Sequence, residues 1–170
     1  MKRLFLLRHA EAANDSAIDS ERKLTDAGIL KCQEISVNLR NYIADIDLIL
    51  SSNSVRTRET IENTLENLDI KKPKLYYTSD LYNCLESDLL QYLQYFEQRL
   101  GMVANNIILV NHNPAISHLT NFLSQNSINS PYYPEVVKGF SPGSLALFKA
   151  NIKSWNELDS HNILLENFWR

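Results

Sequence analysis

Two residues that could do chemistry follow directly on an apolar run near the start of the sequence. Leu4-Phe5-Leu6-Leu7 is typical of a buried strand in a parallel sheet, and Arg8 and His9 come immediately after it. In open α/β sheets, ligands bind in the crevice beyond the carboxyl ends of the strands. An arginine and a histidine at this edge could therefore bind an anion and act on it. A surface arginine beside a core histidine fits these two residues equally well, so the choice depends on the rest of the chain.

A second histidine follows another apolar run. The run at 107–110, Ile-Ile-Leu-Val, predicts a buried strand, and Asn111, His112, Asn113 and Pro114 come after it. Asparagine as N-cap and proline at the first helical position predict that a helix begins here. His112 would then lie at the carboxyl end of a strand, beside a helix N-terminus whose free backbone amides favour an anion.

A pair of arginines supplies further positive charge. The segment 46–50 predicts a short strand, and the helix after it carries Arg56 and Arg58 in or near its first turn. Residues two apart on a helix point in roughly opposite directions, so only one of these arginines would face a given ligand. Together with Arg8 it could clamp phosphoryl oxygens with planar donors that stay charged. No Ser, Cys or Asp lies in a nucleophile motif, whereas histidine can form a covalent intermediate, which makes His9 the candidate nucleophile.

The elements that must position these residues alternate between strands and helices, which predicts one α/β domain over residues 1–170. Four helices are predicted. The first covers 26–44, the second follows the strand at 46–50, the third ends at about Leu100 before Gly101, and the fourth follows Pro114. A weak strand candidate lies at 75–77. The segment 124–144 predicts a long loop that is either a lid or a plain surface excursion. The alternating segment 145–150, with weaker candidates at 152–158 and 162–168, predicts antiparallel strands at the sheet edge.

The bulk composition excludes several classes of protein. The 170 residues are 44% hydrophobic with a net charge of −3, so the chain lacks the basic field of a nucleic-acid-binding protein. No apolar run reaches the length of a membrane span or a signal peptide, and no membrane association is expected. Cys32 and Cys84 lack the spacing of a zinc site and suit a reducing compartment, so we expect a cytoplasmic protein.

Three motifs at predicted strand ends resemble those of the histidine phosphatase superfamily, which has the phosphoglycerate mutase-like fold. Arg8-His9-Ala10-Glu11 is similar to its first motif, and the segment 52–60 is similar to its second, a Ser followed four positions on by Arg and after four more by Thr. Val110-Asn111-His112-Asn113-Pro114 is similar to its second histidine motif. The short length, the segment 19–28, Leu81-Tyr82 and the segment 140–144 narrow the resemblance to the SixA-type phosphohistidine phosphatases.

The resemblance implies both the fold and the roles of the residues. It implies a three-layer α/β/α architecture with a mostly parallel central sheet. His9 would attack phosphorus and become phosphorylated, while Arg8, Arg56 and His112 would bind the phosphoryl oxygens before water hydrolyses the intermediate. The second motif favours Arg56 over Arg58, a choice that helical periodicity leaves open. The resemblance implies no metal and no cofactor, and a phosphate or sulfate ion would fit the site.

Glu86 is the candidate for the proton donor. Many members of the superfamily supply an acid that protonates the leaving oxygen, and Glu86 lies in roughly the corresponding region. A solvated carboxylate at a helix start is the alternative interpretation of Glu86. Phosphohistidine would need such an acid less than an ester does, because its imidazole leaving group requires less protonation than an alkoxide.

The sequence thus predicts a metal-independent phosphatase that acts in signal transduction on protein phosphohistidine. By analogy, the partner would be a histidine-containing phosphotransfer domain or a phosphotransferase-system protein. One alternative is a small-molecule phosphomonoesterase. Less favoured is a phosphoglycerate mutase, which should need a larger insertion than the segment 68–89 provides. A third alternative is a module that binds phosphorylated partners without turning them over.

Overall fold

A mixed sheet lies at the centre of the computed structural model, which describes residues 1–66, 68 and 73–170 and contains six strands within them. The strand order is β3-β2-β4-β1-β5-β6. The first four strands in this order are mutually parallel, whereas β5 is antiparallel to both β1 and β6. The strand bounds are β1 Lys2–Arg8, β2 Leu48–Ser52, β3 Lys74–Thr78, β4 Asn106–Asn111, β5 Leu145–Ala150 and β6 Ile163–Trp169.

Helices cover both faces of the sheet, as a predominantly parallel sheet requires. Their bounds are α1 Asp26–Leu39, α2 Val55–Glu66, α3 Glu86–Leu100, α4 Ala115–Leu123 and α5 Tyr133–Val137. Buried side chains of α1 and α2 pack in one apolar cluster, and those of α3 and α4 pack in the other. The predicted three-layer α/β/α class, with antiparallel strands added at one edge, is therefore confirmed.

The central strand β1 shows why its apolar run is continuous. Leu4 and Leu6 pack in the cluster with α3 and α4, while Phe5 and Leu7 pack in the cluster with α1 and α2. All four side chains are fully buried, and each such burial stabilises the fold by about 1.5–3 kcal/mol. Because β1 lies between β4 and β5, its end at Arg8 is fixed from both sides.

The topology brings three strand ends together. β4 pairs with β1 on one side and with β2 on the other, so Arg8, Asn111 and Ser52 end neighbouring strands at the same edge. The residues that follow these ends are His9, His112 and the first turn of α2. This edge of the sheet is therefore where the three motifs meet.

Several predicted elements differ from the structure. The helix predicted to begin with Asn113 as N-cap and Pro114 at its first position begins at Ala115 with Pro114 as N-cap, and the strand predicted over 46–50 lies at Leu48–Ser52. The first helix ends at Leu39 instead of residue 44. Ile43, whose apolar side chain suggested a longer helix, is buried in the core from a separate 3₁₀ turn. The predicted strand at 152–158 is wrong, since Trp155–Glu157 forms a 3₁₀ turn closed by a capping box with Ser154. Its buried residues Ile152, Trp155 and Leu158 recur every three positions, which matches 3₁₀ geometry better than the alternation of a strand.

In the C-terminal part, one predicted strand is confirmed, whereas a predicted loop contains helical structure. The strand expected at 162–168 is present as β6, whose Phe168 lies opposite Ala146 of β5. The segment 124–144, expected to be a loop, contains α5 and a short 3₁₀ turn at Gln125–Ser127. Within the segment 68–89, residues 69–72 lie outside the described part of the chain. No helix in the described ranges is both long and apolar enough to span a membrane.

Candidate active site

A polar cavity of about 380 Å³ opens at the edge where β1, β2 and β4 end. His9, His112 and Arg56 are buried at its floor, whereas Glu11 and Asp19 are exposed at its rim. The four residues predicted to act on a phosphoryl group all line this cavity. Its lining consists of Arg8, His9, Glu11, Ala12, Asp19, Arg22, Arg56, Asn83, His112, Asn113 and Pro142.

The ring of His9 is oriented by a backbone carbonyl. Its Nδ1 lies 2.7 Å from the carbonyl oxygen of Ala10, which can only accept, so Nδ1 carries the proton and Nε2 keeps its lone pair. Burial, opposed by this hydrogen bond and aided by Arg56 and Arg8, lowers the pKa of His9 to about 4. His9 is therefore a neutral imidazole near pH 7, as a nucleophile must be.

The chain around His9 is held by the turn that precedes β5. The amide of Gly143 donates to the carbonyls of both Arg8 and His9, at 3.2 and 3.0 Å. Gly143 has a φ of +78°, a conformation that side-chain-bearing residues rarely adopt. The segment 140–144, which the sequence associates with the site only by resemblance, thus packs directly on the strand end that carries the nucleophile.

Of the two arginines of α2, the structure places Arg56 in the cavity. The Arg56 side chain is buried, and its two terminal nitrogens donate to the backbone carbonyl and the carboxylate of Asp19, at 2.5 and 2.8 Å. Arg58 is half exposed on another side of the helix, where it lies over the ring of Tyr77. Arg8 donates to the carbonyl of Phe140 at 2.7 Å.

His112 lies against His9, with 5.1 Å between the ring centroids. Its Nε2 is 2.9 Å from the hydroxyl of Ser52 and 3.4 Å from that of Ser54. Burial, together with the nearby His9 and Arg56, lowers the pKa of His112 to about 3. His112 is therefore neutral, and it offers a phosphoryl group a hydrogen bond but no charge.

Three buried nitrogens of these side chains have no hydrogen-bond partner among the described residues. They are Nε of Arg8, Nε of Arg56 and Nδ1 of His112. Leaving a buried polar group unpaired costs about 1–3 kcal/mol, and nearly all such groups in folded proteins are paired. A cavity that combines such nitrogens with two guanidinium groups suits an anion with several acceptor oxygens.

Asp19 is a site residue that the sequence reading missed. Its carboxylate accepts hydrogen bonds from the hydroxyl of Tyr82 at 2.7 Å, from Arg56 at 2.8 Å and from Arg22 at 3.1 Å. The hydrogen bond from Tyr82 and the two guanidinium groups hold the pKa of Asp19 far below its usual range. Asp19 lies in the segment 19–28, which contributes to the family resemblance, but nothing in the sequence pairs it with Arg56, 37 residues away.

Glu86 is not brought to this cavity. It begins α3, where its carboxylate lies 3.7 Å from Nδ1 of His118 on α4, and it lines a different cavity together with Leu90 and Phe122. Its half-exposed position matches the alternative interpretation of a solvated carboxylate at a helix start. In the described part of the chain, no group of three or more His, Cys, Asp or Glu side chains is placed to hold a metal ion.

Replacing Asp19 with asparagine should change anion affinity and turnover in opposite directions. The substitution removes the negative charge that contacts one terminal nitrogen of Arg56, while the backbone carbonyl of residue 19 still accepts from the other. Tungstate should therefore bind about fivefold more tightly, since an ion pair with an exposed partner is worth up to about 1 kcal/mol. Turnover should fall, because Arg56 loses the group that orients it. Calorimetric titration and steady-state kinetics measure the two effects. Weaker tungstate binding would show that Asp19 assembles the anion site and does not compete for it.

The N-terminal part of the chain matches a known protein family. Residues 4–81 match the model of the histidine phosphatase superfamily (branch 1). A curated relative, the mitochondrial serine/threonine-protein phosphatase Pgam5 of Drosophila virilis, is 32% identical over 80 residues. That match covers 47% of this chain and 28% of the relative, so the chain spans less than a third of that protein's length.

Solved structures share the fold over nearly the whole chain. A SixA protein from Nakamurella multipartitia superposes with a TM-score of 0.82 and 23% identity, covering 99% of this chain and 95% of that one. The protein histidine phosphatase SixA in complex with tungstate gives 0.71 and 21%, covering 98% and 95%. The α-ribazole phosphatase of Shigella flexneri gives 0.64 and 16%, covering 96% and 94%. At these identities the likeness shows the fold.

Proposed function

Because this chain belongs to the histidine phosphatase superfamily, we propose that it is a phosphatase in which His9 accepts the phosphoryl group of a protein phosphohistidine. One observation carries the covalent step: Nδ1 of His9 donates to the carbonyl of Ala10, so the lone pair of Nε2 is available as a nucleophile. The neutral state of His9 keeps that lone pair unprotonated near pH 7.

The first step transfers the phosphoryl group to His9. Nε2 attacks phosphorus and the bond from phosphorus to the substrate nitrogen breaks. Its electron pair stays on that nitrogen, and the substrate leaves as a neutral imidazole because its other ring nitrogen carries a proton. Arg8 and Arg56 neutralise the charge that spreads over the phosphoryl oxygens, and His112 adds a neutral hydrogen bond. Water then hydrolyses the phosphohistidine on His9 and releases orthophosphate. The two guanidinium groups supply the charge stabilisation in this scheme, so we propose that turnover needs no metal ion.

One observation supports a phosphorus–nitrogen substrate over a phosphate ester. The predicted acid Glu86 pairs with His118 away from the cavity, so an alkoxide leaving group would lack that proton donor. An imidazole leaves with less assistance than an alkoxide. Similar solved structures include a protein histidine phosphatase complexed with tungstate, an oxyanion comparable in shape to phosphate. By this analogy we propose, as partner, a histidine-containing phosphotransfer domain or a phosphotransferase-system protein.

The experiment that tests this proposal compares two substrates. Wild-type protein is incubated either with a phosphotransfer domain carrying ³²P-phosphohistidine or with p-nitrophenyl phosphate, and kcat/KM is measured for each. We expect the phosphohistidine protein to be preferred and EDTA to leave both values unchanged. Turnover of p-nitrophenyl phosphate alone would favour a small-molecule phosphomonoesterase. Binding of the phosphorylated domain without phosphate release would favour a non-catalytic binding module.

A further inference from the structure

Two carboxylate residues, Glu11 and Asp19, line the active-site cavity. They differ in the number of hydrogen bonds that their carboxylate oxygens accept. Asp19 accepts hydrogen bonds from Tyr82, Arg56 and Arg22. Because these donors stabilise its charge and hold its pKa low, Asp19 is a poor acceptor of a further proton. Of the two, Glu11 is the one that could exchange a proton with a reacting group.

The surroundings of Glu11 fix it at the rim without neutralising it. The hydroxyl of Thr25 donates to its Oε1 at 2.9 Å, and the amide of Thr25 donates to its carbonyl oxygen at 3.0 Å. A Cβ atom on Gly28 would lie 2.2 Å from that same carbonyl oxygen, so the first turn of α1 packs directly against the Glu11 backbone. Among the described residues, Glu11 forms no ion pair with a cation.

The direction of the second chemical step determines where a general base would have to lie. Water attacks phosphorus opposite the bond that breaks, which in the phosphoenzyme is the bond to Nε2 of His9. His9, His112 and Arg56 form the buried floor, so water approaches from the rim, where Glu11 is exposed. A group that accepts the proton of the attacking water must therefore lie at the rim.

We propose that Glu11 is a catalytic residue, the general base that activates the water which hydrolyses the phosphohistidine on His9. This inference rests on the proposed function, because it needs that covalent intermediate. The water oxygen forms a bond to phosphorus, the phosphorus–nitrogen bond breaks, and its electron pair returns to Nε2. The water proton passes to the carboxylate of Glu11, which later releases it to solvent, and orthophosphate leaves.

The decay of the phosphoenzyme tests this assignment directly. Wild-type protein and the Glu11→Gln variant are loaded on His9 with ³²P-phosphoramidate, a small phosphorus–nitrogen donor, and the loss of protein-bound label is followed after the donor is removed. We expect decay to be about 100-fold slower or more in Glu11→Gln, the contribution of a general base. Tungstate should bind at least as tightly as in wild type, because the variant keeps Arg8, Arg56 and His112 and removes a negative charge from the cavity. The matched control is Glu21→Gln, an exposed glutamate of the polar loop that lines a neighbouring cavity, and its phosphoenzyme should decay at the wild-type rate.

A rescue experiment separates proton transfer from a structural role. In Glu11→Ala, added formate should accelerate decay of the phosphoenzyme, because a small carboxylate can replace the missing base. Equal decay in wild type and Glu11→Gln would overturn the inference, as would slow decay that formate does not accelerate. Failure to label wild-type His9 would also overturn it. If the phosphoenzyme forms and decays as expected but the phosphohistidine protein is not consumed, the proposed substrate is wrong while the role of Glu11 stands.

Discussion

Replacing His9 with alanine should reduce turnover by about 10⁴-fold or more, the scale of losing a covalent nucleophile. The variant keeps Arg8, Arg56 and His112, so tungstate should still bind in the cavity. The measurement is single-turnover phosphate release together with mass-spectrometric mapping of the trapped phosphoryl group, which we expect on His9 in wild type and nowhere in the variant. The matched control is His118→Ala, which removes an exposed histidine of α4 and should leave turnover unchanged.

The pH profile of the wild type provides a second readout of the same nucleophile. Burial lowers the pKa of His9 to about 4 and that of His112 to about 3, so both rings lose their protons well below the usual histidine range. Activity should therefore rise as pH increases through about 4 and change little between pH 5 and 8. An acidic limb near 6.5 would show that the attacking ring is not the buried His9. Turnover that survives His9→Ala would rule out the covalent mechanism.

Much of this site follows from local signals in the sequence. The apolar runs before Arg8 and His112 predict buried strands, and the rule for ligand binding at strand ends predicts that these residues converge. The structure brings both to one cavity. The choice of Arg56 over Arg58 needed the family resemblance, because helix periodicity shows only that the two point apart.

The features that the sequence did not predict depend on contacts between distant segments. Asp19 lies in a polar loop with no periodicity, and its partners Arg56 and Tyr82 are 37 and 63 residues away. Glu86 lies in about the expected stretch of sequence, but the packing of α3 against α4 places it beside His118. The partner of the His9 ring depends on side-chain rotation, which residue types do not specify. Proximity in three dimensions decides all of these cases.

Arg56→Ala should lower kcat by about 10²–10³-fold, whereas Arg58→Ala should leave it within the error of the measurement. Loss of one preorganised donor to a developing negative charge has this magnitude. Arg56 is buried at the cavity floor and held by Asp19, while Arg58 is half exposed over Tyr77. Steady-state kinetics on both variants measures the difference, and equal losses would mean that charge near α2 matters but its position does not. Arg56→Lys should remain well below wild type, because an ammonium group cannot reproduce the planar donor pair of a guanidinium.

The pair formed with Asp19 allows the effect of Arg56 to be separated from general damage to the site. If Asp19 acts on turnover through Arg56, then Asp19→Asn should lower kcat in wild type but cause little further loss in Arg56→Ala. In wild type, Asp19→Asn should lower kcat and raise tungstate affinity, because Asp19 orients the guanidinium of Arg56 for the reaction and competes with a bound anion for it. Both effects should largely disappear in the Arg56→Ala background. Additive effects would show that Asp19 acts independently, through Tyr82 or Arg22.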